Sequence, residues 1–174
     1  MIHVLYLDDE LHNLTAFRAA FRRVFKVHVT TEPTEAVQLL REHPIEVVIS
    51  DQKMPALSGV EFFELIMSDF PDPIRMLLTG HADIDAVIDA INKGQIYKYI
   101  SKPWNESELQ GLVEEAAEQF RRKRSVQQEG SRLIEQMRQA RELAAWIVDV
   151  CTSGAPDVSK IHENAKKIDE LLSK

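Results

Sequence analysis

The chain has 174 residues, enough for one full domain and an appendage at the usual ~100–200 residues per domain. Its 44% hydrophobic and 28% charged content is ordinary for a globular protein, no apolar run approaches the ~18 residues of a membrane span, and the single Cys151 excludes an internal disulfide framework. The net charge of −7 is uneven: residues 1–120 carry 20 acidic against 10 basic side chains and residues 121–174 carry 8 against 11, so nucleic acid is a poor partner for the acidic body.

The opening MIHVLYLDDE has neither the basic start nor the cleavage site of a signal peptide, which predicts a cytoplasmic protein without a membrane anchor. Five short apolar runs follow in order: IHVLYL (2–7), KVHVT (26–30), EVVIS (46–50), RMLLT (75–79) and IYKYIS (96–101). Between them apolar residues recur at helical spacing: Leu14, Phe17, Phe21 and Val24; Ala36, Val37 and Leu40; Val60, Phe63, Ile66 and Met67; Ile84, Val87, Ile88 and Ile91. Ser58 stands three before Glu61 and Asn105 three before Glu108, the spacing of a capping box, and Gly94 marks the fourth helix's stop. This alternation predicts an α/β domain with a parallel sheet covered on both faces.

From residue 105 the pattern becomes a heptad seam at 109, 112, 116, 119, 123, 126, 130, 133, 137, 140, 144, 147 and 151. It is apolar at both ends and weak at Gln119, Lys123 and Gly130. Gly154 and Pro156 end it, and a short amphipathic helix over 157–172 follows with Ile161, Ala165, Ile168 and Leu172 on one face. The basic run RRKR (121–124) is read as a solvated helix face rather than a DNA contact.

The polar residues that end the strands carry the chemistry. Strand one ends in Asp8 and Asp9, strand three in Asp51, strand four in Thr79, strand five in Ser101 and Lys102. In an open parallel sheet these ends form one rim, where ligands bind. Three carboxylates brought together repel one another, and a hard divalent ion such as Mg2+ relieves that with oxygen ligands. With an ammonium and a hydroxyl added, the set suits a phosphoryl group attacked by a carboxylate oxygen.

On LYLDDE, VVISDQKMPALSG, MLLTGHAD and YKYISKPW, the chain resembles the receiver domain of two-component response regulators over residues 1 to about 120. The run LLTGHADIDAVIDAINKGQIYKYISKPW is similar to receivers that head multidomain regulators, among them cyclic-di-GMP phosphodiesterases and enhancer-binding activators, but no phosphodiesterase or ATPase motif is present. The resemblance implies a flavodoxin-like (βα)5 doubly wound sheet with a C-terminal helical extension. It implies Asp51 as phosphoacceptor, with Mg2+ on Asp9, Asp51 and the Lys53 backbone carbonyl and with Asp8 acting mainly through water. Lys102 would contact the phosphoryl group, Thr79 would be the switch hydroxyl, and Tyr99 the aromatic that follows it inward. Lys53 and His81 fall at positions that tune dephosphorylation, Gly80 leaves room for the donor, and Lys102–Pro103 is expected to be cis.

The resemblance further implies a histidine kinase or phosphotransfer protein as donor, and output through the face of helix four, strand five and helix five. The organisation expected is a receiver over 1–120, a continuation of helix five over 121–151, and the short helix over 157–172. The seam predicts a homodimer through the C-terminal helix, with a downstream protein rather than DNA as target. The alternatives are an intramolecular hairpin, a linker in a receiver fragment whose effector domain is absent, and a Mg2+-dependent phosphotransfer enzyme acting on an external substrate. Against the last, the chain has no cap insertion and no second acidic pair for general acid–base work.

Overall fold

The computed structural model describes residues 1–55, 57–80, 91, 95–152 and 157–173. The described elements are β1 (Ile2–Leu7), α1 (Leu11–Phe21), β2 (Phe25–Thr30), α2 (Pro33–Glu42), β3 (Val47–Asp51), α3 (Gly59–Met67), β4 (Ile74–Thr79), β5 (Lys98–Ser101), α4 (Glu106–Thr152) and α5 (Val158–Leu172). Helices are numbered as described, so the fifth predicted helix is α4. The fourth, with Ile84, Val87, Ile88 and the stop at Gly94, lies outside the described residues apart from Ile91.

All five strands are parallel, in the order β2-β1-β3-β4-β5. That is the doubly wound, flavodoxin-like order. Its continuous apolar strands follow from burial on both faces. Val4, Tyr6, Ile49, Met76 and Leu78 pack under α1 and the first turns of α4, with Phe17, Phe21, Leu109, Val113 and Ala116. Leu5, Leu7, Val48 and Leu77 alternate to the other face, under Phe62, Phe63 and Ile66 of α3 and Leu40 of α2. The capping box at α3 is complete: Ser58 Oγ accepts the Glu61 amide and Glu61 accepts the Ser58 amide at 2.8 Å. Asn105 Oδ1 accepts the Glu108 amide at 3.1 Å at the start of α4.

Two boundaries differ from the sequence pattern. The first helix stops at Phe21, and Val24, 40% exposed, lies in a turn whose amide bonds to the Phe21 carbonyl. The turn is required because β2 starts at Phe25, in register with Ile2. The last strand starts at Lys98 rather than residue 96; Ile96 is buried ahead of it and the Tyr97 amide already reaches the Arg75 carbonyl at 2.8 Å.

The chain divides into two compact units, 1–123 and 124–174, and α4 supplies residues to both. In the second unit the face of α4 covered within the chain shares Ala140 and Ile147 with the seam. Ala140 is buried and Leu143, Trp146, Ile147 and Val150 are half-buried, whereas Met137, Ala144 and Cys151 are exposed. On α5 the face is Ile161, Asn164, Ile168 and Leu171, with Ala165 and Leu172 exposed. The reason is local pairing. Trp146 and Leu143 on α4 and Leu171 and Asn164 on α5 line one groove of about 600 Å³, so the bulky side chains turn to each other and the small Ala144 and Ala165 turn out. Among the described residues no helix is long and apolar enough to cross a membrane.

Candidate functional site

The carboxyl ends of β1, β3, β4 and β5 bring the expected residues to one rim. Asp51 is the last residue of β3 and pairs with Leu78, while Thr79 ends β4 opposite Ser101 of β5. Asp8 follows β1, and the Lys102 amide bonds to the Thr79 carbonyl at 2.9 Å. The Lys102–Pro103 peptide is cis.

Asp8 is wholly buried and Asp51 nearly so, at 6% exposure. The Lys102 ammonium bridges them, 2.9 Å from Asp8 Oδ2 and in direct contact with Asp51 Oδ1. Asp51 Oδ2 also accepts the Lys53 amide at 2.6 Å. Burial pushes the Asp8 carboxyl up, but hydrogen bonds from Tyr6, Asn13 and Lys102 outweigh it and hold its pKa below the usual value. Burial pulls the Lys102 ammonium down, and Asp51 and Asp8 more than reverse that. Asp9 is exposed at the mouth, and its pKa is raised by partial burial first and then by the negative charges of Asp8 and Asp51.

The remaining expected residues fall as follows. Thr79 is buried and its hydroxyl donates to the Gly80 carbonyl at 2.7 Å. Among the described residues, a Cβ built at Gly80 meets nothing within 4 Å. Tyr99 is 42% exposed on β5, and Lys53 is exposed with its amide on Asp51. His81 lies outside the described residues.

Two residues of the site were not anticipated. Tyr6, wholly buried, donates its hydroxyl to Asp8 Oδ2, and Asn13 Nδ2, on the first turn of α1, shares its two hydrogens among the Asp8 oxygens at 3.0 and 3.1 Å and Glu10 Oε2 at 2.9 Å. A signal existed for Tyr6: strand alternation places a phenol in the core, and a buried tyrosine hydroxyl needs an acceptor. For Asn13 the signal was weaker, a polar residue facing the strand end across one helical turn.

The donor set is all oxygen and holds three carboxylates against one ammonium, which suits a hard divalent cation. As they stand, no three acidic, histidine or cysteine side chains among the described residues converge in ligating geometry; Lys102 bridges Asp8 and Asp51 instead. The site can therefore hold a cation by charge and donor type, and its buried Asp51 presents a carboxylate beside a fixed positive charge.

Residues 4–114 match the response regulator receiver domain. The hydrogenase transcriptional regulatory protein HoxA of Bradyrhizobium diazoefficiens is 33% identical over 127 residues, 73% of this chain and 26% of that protein. The HoxA of Cupriavidus necator is 36% identical over 115 residues, 66% of this chain and 24% of its own length. The chain thus spans about a quarter of the curated relatives it matches. Among solved structures, the signal receiver domain of an HD domain-containing protein from Pseudomonas fluorescens superposes with a TM-score of 0.66 at 30% identity, covering 71% of this chain and 92% of that one.

Proposed function

Because this chain belongs to the response regulator receiver family, we propose that it is a phosphorylation-activated switch whose phosphoacceptor is Asp51. The observation that carries the reading is the Lys102 ammonium held between Asp8 and Asp51 at the carboxyl ends of the sheet. Receiver domains accept phosphoryl groups from histidine kinases, and such a kinase or a phosphotransfer protein is the donor here. An Asp51 oxygen attacks phosphorus as the bond from phosphorus to the donor's imidazole nitrogen breaks; with the other ring nitrogen of the donor protonated, this leaves neutral imidazole and an acyl phosphate. Asp9, Asp51 and the Lys53 carbonyl would hold Mg2+, which supplies charge neutralisation of the phosphoryl oxygens when bound. Lys102 neutralises the same oxygens from the other side.

Thr79 then trades its bond to the Gly80 carbonyl for a phosphoryl oxygen, and Tyr99 leaves its exposed setting to fill the space behind it. This is a local charge event that biases a two-state element. Lys53 and His81 set how readily water reaches the acyl phosphate. The output surface is the predicted fourth helix, β5 and the start of α4, continuing into the helical tail. The organisation proposed is a receiver over 1–120, its helical continuation over 121–151 and the terminal helix over 157–172, acting in the cytoplasm on a protein target.

The test is direct. With Mg2+ and a small phosphodonor the protein is expected to gain one base-labile acyl phosphate, mapped to the peptide that contains Asp51 and absent from Asp51→Asn. Equal labelling of the Asn variant overturns the assignment. Turnover of an added phosphoester, which this reading does not expect, would mark an enzyme acting on an outside substrate instead.

A second element of the proposal is homodimerisation through α4. Val126, Leu133 and Met137 follow the heptad seam at 71%, 56% and 58% exposure, and Ile134 beside them is 70% exposed. Three turns of helix that leave these side chains in water are stabilised by burying them, at about 25 cal/mol per Å² of apolar surface. Light scattering of the protein with and without phosphorylation is expected to give the mass of a dimer in at least one state. A monomer in both states removes the coiled-coil reading.

A further inference from the structure

We propose that Tyr6 is a positioning residue for phosphoryl transfer: its buried hydroxyl, together with Asn13, saturates the Asp8 carboxylate so that Lys102 is left to serve Asp51. The inference rests on the reading of Asp51 as phosphoacceptor and adds what separates Asp51 from Asp8, the other buried carboxylate on the same ammonium.

A carboxylate offers about four lone-pair sites. On Asp8, Oδ1 accepts the Glu10 amide at 3.0 Å and Asn13 Nδ2 at 3.0 Å. Oδ2 accepts the Tyr6 hydroxyl and Lys102 Nζ at 2.9 Å, while the second Asn13 hydrogen has Glu10 Oε2 at 2.9 Å. Every site is engaged. Asp51 side-chain oxygens, among the described residues, take only the Lys53 amide and Lys102. Of two buried carboxylates that share one cation, Asp51 is, among the described residues, the one with lone pairs left to attack.

The aim of the Tyr6 hydroxyl is fixed by packing. Position 6 points to the α1 and α4 face of the sheet, where its ring lies 4.6 Å from that of Phe17 between centroids. A leucine or valine there would fill the layer without a polar atom to satisfy. The phenol instead reaches two residues along its own chain to the strand end, where it competes with Lys102 for the same Asp8 oxygen. Without that hydroxyl, Asp8 Oδ2 turns more of its charge to Lys102 and draws the ammonium from Asp51. It also regains a lone pair that faces the site.

Tyr6→Phe removes the hydroxyl and keeps the ring. Two quantities decide the matter: the Mg2+ concentration at half-saturation, read by calorimetry on the unphosphorylated protein, and the rate of acyl phosphate formation at saturating Mg2+. A hydrogen bond to a charged group is among the stronger ones, and a tenfold change in rate corresponds to about half or more of one. The variant is expected to fall about tenfold in rate while its Mg2+ half-saturation drops about threefold. Asn13→Ala, which strips a donor from the same carboxylate, moves both in the same directions.

Wild-type values for rate and Mg2+ with only a lower denaturation midpoint reduce Tyr6 to a core filler and overturn the proposal, as does weakened Mg2+ binding. Failure of the wild-type protein to label at Asp51 removes the phosphoacceptor reading instead. In that case the Mg2+ titration of Tyr6→Phe still decides whether the hydroxyl sets the state of Asp8.

Discussion

Lys102→Met is expected to reduce phosphorylation of Asp51 at least about 100-fold and to destabilise the fold by about 3 kcal/mol at neutral pH. Both effects come from the same geometry. Among the described residues the ammonium is the one cation in contact with two carboxylates that are 0% and 6% exposed. Methionine keeps the length of the stem and removes the charge, leaving two buried anions without their shared counterion. Removing one partner of a buried pair is costly because the remaining charge stays desolvated. The rate suffers further because a phosphoryl group brings negative charge to the place the ammonium occupied.

The pH dependence separates this from a packing defect. In the wild-type protein the donors on Asp8 hold its pKa below 3.8, so its contribution is present above that pH and fades as pH falls through the folded value. In Lys102→Met one of those donors is gone, and burial, the largest influence on Asp8, pushes its carboxyl up relative to wild type. The variant's unpaired charge is then relieved by a proton that wild-type Asp8 does not take. The stability gap between the two proteins is expected to narrow as pH is lowered from 7 toward 4, measured by urea midpoints. A packing defect gives a gap that does not move with pH.

The sheet and its rim were legible in the sequence for one reason. Parallel strands buried on both faces must be continuously apolar, and a polar residue that ends such a run can only be at the rim. That logic placed Asp8, Asp51, Thr79 and Lys102 correctly on their strand ends. It was blind to Tyr6 because a tyrosine inside IHVLYL counts as apolar, and only the direction of its hydroxyl distinguishes it from a core aromatic. Asn13 was hidden because its partner lies across the strand-to-helix turn.

In the tail the heptad count was apt to drift. A 3.5-residue repeat and a 3.6-residue helix diverge by ~20° per heptad, and over the last heptads the choice among neighbouring residues falls to side-chain size. Within the chain Trp146 and Leu143 line the groove, and Ala144 is left exposed. Val24 failed for a different reason. Helical spacing has no term for the strand that follows, and β2 needed its turn before Phe25.

Gly59→Ala is the second large effect expected. Gly59 opens α3 behind the Ser58 cap, and its amide bonds to the Gln52 carbonyl at 3.1 Å. A Cβ built there stands 2.4 Å from the Asp51 carbonyl oxygen and 2.6 Å from Leu77 Cδ1. The leucine methyl can rotate aside, but the carbonyl is that of Asp51 at the end of β3, the residue proposed as phosphoacceptor. Overpacking of this kind costs about 1–3 kcal/mol, and because its relief moves the Asp51 backbone the acyl phosphate yield should fall as well. Gly111→Ala in α4 supplies the contrast. Nothing among the described residues outside the helix backbone lies within 4 Å of its added Cβ, so it should stabilise by about 0.5–1 kcal/mol through helix propensity, with Asp51 labelling unchanged. Thermal midpoints and phosphorylation yields of the two variants, taken side by side, check both signs. If Gly59→Ala labels and melts as the wild type does, the close approach of α3 to the end of β3 does not hold Asp51 in place.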